Sequence, residues 1–92
     1  MHVLRIEHPI PSYDAWKAAF DSEPIDREDS GVRRYRIMRA TDDPNYVMID
    51  LEFDGASDAE TVHAALLDLW ERVDVVHSPR ARIAEAVESR EY

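Results

Sequence analysis

The chain has 92 residues, 45% of them hydrophobic, and its 20 acids against 11 Lys and Arg give a net charge of −9. A chain of that length forms one domain with a core, burying roughly 60–65% of its unfolded surface, and its apolar content sets it apart from disordered sequences. The acidic balance argues against nucleic acid and an anionic membrane surface, both of which reward positive charge, while the lack of cysteine excludes disulfides, thiolate chemistry and Cys-based metal sites.

The opening MHVLRIEH has neither a basic leader nor a long apolar stretch, and no segment reaches bilayer length, which reads as a soluble cytoplasmic protein. His2 to His8 alternates as a strand, with Leu4 and Ile6 on one side and Val3, Arg5 and Glu7 on the other. Pro9 and Pro11 end it, because neither can donate to a ladder. Ser12 is a good N-cap for a helix over Tyr13 to Asp21, whose Tyr13, Trp16 and Phe20 form one stripe at i, i+3 and i+7. An acidic connector, SEPIDREDSG, follows with room for a helical turn but no period of its own.

Val32 to Ala40 and Tyr46 to Phe53 read as two strands joined by the turn residues Thr41-Asp42-Asp43-Pro44-Asn45. On the later strand Val47, Ile49, Leu51 and Phe53 share one face, and Tyr46, Met48, Asp50 and Glu52 share the other. Tyr35 and Ile37 are the partners of the apolar set, which puts Arg34, Arg36 and Met38 beside Met48, Asp50 and Glu52. A slip of one residue would exchange the faces. Ser57 with Glu60 makes a capping box for a second helix, along which Val62, Leu66, Leu69 and Val73 recur as a buried stripe. The tail RARIAEAVESREY alternates Ile83, Glu85 and Val87 with Arg82, Ala84 and Ala86. It is assigned as a fourth strand because the sheet needs an edge partner.

The order is β-α-β-β-α-β over residues 1–92. That is a single α+β domain of the ferredoxin-like type, a four-stranded antiparallel sheet with two helices on one face. The other face mixes Val3, Met38, Tyr46 and Met48 with charges, and self-association about a two-fold axis is the simplest way to cover it.

Arg34, Arg36, Asp50 and Glu52 are the candidate ligand-binding residues of that face, since arginine offers a bidentate fork to a substrate carboxylate. The simpler reading of the same four is cross-strand ion pairing that fixes register. His2, His8 and His63 do not make a metal site. His2 and His8 sit about 20 Å apart at ~3.3 Å per residue, and no HxH or HxxxH spacing occurs. The acidic run Asp21, Glu23, Asp26, Glu28 and Asp29 lacks the spacing of a calcium loop and reads as a solvated connector. There is no Gly-x-Ser-x-Gly, no phosphate loop and no cofactor motif. A general base from Asp50, Glu52 or a histidine would require burial to tune its pKa.

The stretches YDAWKAAFD, GVRRYRIMRATDDPNYVMIDLEF and ARIAEAVESREY resemble small bacterial proteins of the dimeric α+β barrel superfamily, over most of the chain. The resemblance implies a homodimer in which two sheets meet face to face, with a pocket inside the barrel or between sheet and helices. It implies small-molecule chemistry of the antibiotic-biosynthesis-monooxygenase or isomerase kind on an aromatic or polyketide-like compound, without a cofactor. The alternative is a non-catalytic dimerisation module whose barrel is filled by side chains, because this fold hosts many functions. Haem-degrading members use an Asn, a Trp and a His; Trp70 and His77 match the later pair, but the first strand HVLRIEH has no Asn. Core packing for Trp70 and a loop position for His77 before Pro79 are the structural alternatives.

Overall fold

A computed structural model describes residues 1–22, 25–72 and 78–92. The elements are β1 (His2–Pro9), α1 (Tyr13–Asp21), β2 (Val32–Ala40), β3 (Asp43–Phe53), α2 (Ala56–Trp70) and β4 (Arg80–Glu85). All pairings are antiparallel and the strand order is β2-β3-β1-β4, so the ferredoxin-like arrangement and the fourth strand expected from the tail are both present. His77 and Val73 lie outside the described residues.

One face of the sheet makes the core. Leu4, Ile6, Val47, Ile49, Leu51 and Phe53 are buried there, with Phe53, Leu4 and Val47 wholly inaccessible. Burying each such side chain contributes about 1.5–3 kcal/mol relative to leaving it in water. From α2, Ala59 and Val62 complete the layer; from α1, Trp16 does. Trp16 stacks in a chain of rings, 5.9 Å from Tyr13 and 5.2 Å from Phe20, and Phe20 meets Tyr35 of β2 edge-on at 5.2 Å. The i, i+3, i+7 stripe therefore does what the sequence implied, and Tyr35 and Ile37 lie on the helix side.

Ser12 caps α1, its hydroxyl accepting from the Ala15 amide at 3.3 Å. The capping box expected at α2 does not form. That helix starts at Ala56 with Gly55 at the cap and no side-chain cap bond, because glycine at that position costs little more than serine. Ala59 and Val62 of this helix are buried on the sheet. The turn after β2 is also tighter than expected: Ala40 pairs with Asp43, leaving only Thr41 and Asp42 between the strands. Asp43 still makes its local bond, accepting from the Asn45 amide at 3.0 Å, and Pro44 sits beside the register shift where a ladder can tolerate it.

The connector holds a helical turn after all, with Ser30 donating to the Asp26 carbonyl at 3.0 Å. The acids of the run, Asp21, Asp26, Glu28 and Asp29, are exposed, as a solvated connector requires, and Glu23 lies outside the described residues. Arg27 reaches back to donate to the Phe20 carbonyl at 3.0 Å and lies 3.9 Å over the Phe20 ring. Gly31 then adopts φ +95, where a side chain would be strained.

Candidate functional site

Strand parity turns the odd residues of β1, the even residues of β3 from Tyr46 and of β4, and Arg34, Arg36 and Met38 of β2 to the side away from the helices, while the register shift before Arg34 leaves Val32 in the core. Cross-strand register arranges them in three rows. Running from β2 to β4, the first is Arg34, Glu52, Val3, Ala84. The second is Arg36, Asp50, Arg5, Arg82. The third is Met38, Met48, Glu7, Arg80, and Tyr46 stands beyond it opposite Pro9. The face assignment made from alternation is thus the observed one for every candidate residue.

Arg34 and Glu52 meet directly. Nε donates to Oε2 at 2.6 Å and Nη2 to Oε1 at 3.0 Å, a bidentate pair across β2 and β3. The Arg34 hydrogen bonds hold the Glu52 carboxyl below its usual range, and Glu52 in turn raises Arg34. Arg36 and Asp50 are brought together less closely, at 3.8 Å. The main partner of Asp50 is instead Arg5, a residue the sequence placed on this face but not in the site. Its Nε and Nη2 each donate to one carboxylate oxygen at 2.8 Å. Asp50 is buried, and burial pushes its pKa up; the Arg5 hydrogen bonds outweigh that and hold it low. On the third row, the Tyr46 hydroxyl donates to Glu7 at 2.7 Å, which raises the phenol's pKa.

Asp50 and Glu52 are therefore each paired with an arginine, while Glu7 accepts from the neutral phenol of Tyr46. Five arginines share the face with these acids, Arg5, Arg34, Arg36, Arg80 and Arg82 against Glu7, Asp50 and Glu52, an excess of two positive charges on a chain of net −9. Arg80 and Arg82 have no acid within 4.0 Å among the described residues. They line a half-open cleft of about 250 Å³ with Arg5, Glu7 and Ala81. A wider groove of about 560 Å³ runs along the outer edge of β2, past Arg27, Val32, Arg34 and Tyr35. The β4 arginines were missed because the tail was read for its apolar positions. Their signal was the R-A-R spacing, which puts both on the same side of a strand.

The other candidates fall elsewhere. His8 is buried on the helix side, edge-on to Trp16 with ring centres 6.3 Å apart. His2 approaches Glu85 at 3.6 Å. No group of three metal-binding side chains exists among the described residues. Trp70 ends α2, half-buried against the core. No helix among the described residues is long and apolar enough to cross a membrane.

No protein-family model and no curated protein matches the chain. Solved structures do match, at the level of the fold. A MhuD variant with two manganese protoporphyrin IX molecules bound per active site aligns with a TM-score of 0.70 and 12% identity over 100% of both chains. A protein provisionally named an antibiotic biosynthesis monooxygenase, from Deinococcus radiodurans, aligns at 0.64 and 14% over 100% of this chain and 98% of its own. A dimeric ferredoxin-like protein from an uncultured marine organism aligns at 0.64 and 12% over 100% of both. The chain has the ferredoxin-like fold that these monooxygenase-like and dimeric proteins share, as its sequence resemblance implied.

Proposed function

We propose that the protein acts as a homodimer whose two open sheet faces enclose a chamber for a small organic molecule. The observation that carries this reading is the second side of the sheet. It presents Val3, Met38 and Met48, each partly exposed, and an exposed Ala84 beside its arginines. Apolar groups grouped on one sheet face can be sheltered by a partner, and an isologous contact closes on itself. A dimeric fold neighbour supports the same association. Arg34, Arg36, Asp50 and Glu52 then belong to the chamber wall, the two acids as anchors for their arginines rather than as proton acceptors. The chemistry we assign is cofactor-independent oxygenation or isomerisation of an aromatic or polyketide-like compound, in line with the neighbour named a monooxygenase.

The second reading is a dimerisation module with no reaction, and the pairing of Asp50 and Glu52 with arginines favours it. Two measurements decide. Sedimentation at micromolar concentration should give twice the 10.7 kDa chain mass, and Met48→Glu at the middle of the face should return it to one. A thermal-shift screen of aromatic acids, quinones and haemin should find a compound that raises the melting temperature, as any ligand of the folded state must. A dimer that no compound stabilises is the module. A shifted Soret band on adding haemin would move the assignment to haem chemistry.

A further inference from the structure

The open face holds one arrangement that pairing does not explain. Arg5 of β1 stands directly opposite Arg82 of β4, and Arg80 is the next residue of β4 on that side. Like charges opposed across a ladder destabilise it. Compensation is partial: both oxygens of Asp50 are engaged by Arg5 on the side toward β3, and Glu7, opposite Arg80, is the one acid that borders the cleft. Three guanidiniums therefore border one cleft, in a protein whose overall charge is strongly negative.

We propose that Arg80 and Arg82, with the remaining Nη1 of Arg5, bind the carboxylate of a small organic acid in the cleft between β1 and β4. A planar carboxylate matches the guanidinium fork and can be held by two parallel bonds. Arg5 is held in place by Asp50, so one wall of the receptor is fixed before the ligand arrives. The aliphatic stems of the arginines supply the apolar rim, and the β4 backbone at Ala81 forms the floor. The cleft, about 250 Å³, lies just under the roughly 300–1,000 Å³ of pockets for drug-sized ligands, which limits the occupant to about one ring. The site names the substrate class of the chamber proposed above and rests on that reading only for its second wall.

Benzoate is the probe, benzamide its neutral counterpart and inorganic phosphate the control for a general anion. Calorimetric titration and the arginine Nε–Hε resonances should show saturable binding of benzoate, with benzamide at least about tenfold weaker because it lacks the charge-assisted fork, and phosphate at least about tenfold weaker because it has no ring to set against the arginine stems. Arg80→Gln/Arg82→Gln should lose at least about tenfold in benzoate affinity while keeping its sedimentation coefficient. Arg33→Gln, an exposed arginine paired with Asp54, should bind as the parent does. Equal affinity for benzoate and benzamide, equal competition by phosphate, or equal loss in the Arg33 variant overturns the assignment. If no carboxylate binds and the dimer persists, this inference falls and the homodimer stands; a monomer that still binds benzoate leaves the carboxylate site and removes the chamber.

Discussion

Replacing Arg5 with methionine tests the electrostatics of the open face at its centre. Methionine keeps most of the stem and removes the two 2.8 Å bonds to Asp50. The side chain of Asp50 is only 5% exposed, so its carboxylate would stay dehydrated with Arg36 at 3.8 Å as its remaining cation. Breaking a fully buried pair costs about 3–5 kcal/mol, and an exposed pair is worth about 0–1 kcal/mol. The Arg5 side chain is 58% exposed, which discounts the first figure heavily, so we expect a loss of about 1–2 kcal/mol at neutral pH. For a domain of this length each kcal/mol moves the melting temperature by roughly 4–8 °C. The pH dependence gives the mechanism. Because the folded pKa of Asp50 lies below its unfolded value, near ~3.9 for a free aspartate, its stabilising share is fully present above that value and is lost as the pH falls through the folded pKa. Without Arg5, burial raises the carboxyl instead. The gap between parent and Arg5→Met should therefore be widest near neutrality and shrink once the pH falls below the carboxylate range. Urea denaturation at several pH values and one fixed protein concentration measures it. A gap that is negligible, or that persists unchanged in acid, refutes the assignment of Asp50 as a buried anion held by Arg5.

Three further outcomes follow from local geometry. Gly31→Ala should destabilise by roughly 1–3 kcal/mol, because the residue sits at φ +95 and its new Cβ would lie 2.6 Å from the Asp58 carboxylate; Asp58→Ala in the same background should recover only the steric part, and urea midpoints report both. Ser12→Ala removes the cap of α1 and should cost about 0.5–2 kcal/mol, read as a lower melting temperature, with Ser12→Asp retaining stability. Phe53→Ala empties a side chain with no exposure and should cost about 3–5 kcal/mol; circular dichroism at low temperature will show whether the chain still folds, and a near-normal melting temperature would contradict its place in the core.

Alternation and amphipathic spacing made much of this molecule legible in advance. Val47, Ile49, Leu51 and Phe53 repeat at period two, so they had to share a face, and the same parity put Asp50 and Glu52 on the opposite one. Tyr13, Trp16 and Phe20 repeat at helical spacing, so α1 had to turn them inward. Boundaries were less secure. Ser57 and Glu60 have the residues of a capping box, yet Gly55 is the cap and the helix begins at Ala56, since glycine at that position costs only a few tenths of a kcal/mol relative to serine.

Partner choice lay further out of reach. Arg34, Arg36, Asp50 and Glu52 were legible as neighbours, since a hairpin of known register sets β2 against β3. Arg5 and Asp50 are 45 residues apart in the chain, and their contact depends on β1 inserting beside β3 rather than on any local pattern. The same insertion brings β4 to the other side of β1 and sets Arg82 against Arg5. What the chain determines by itself is which side of each strand is apolar, because backbone geometry alternates side chains whatever the neighbours are. Which strands become neighbours was decided only by the tertiary fold, because the order β2-β3-β1-β4 follows from how two crossover helices bury their stripes on one face. Through that order, Arg5 comes to border a single cleft with Arg80 and Arg82 from the far end of the chain.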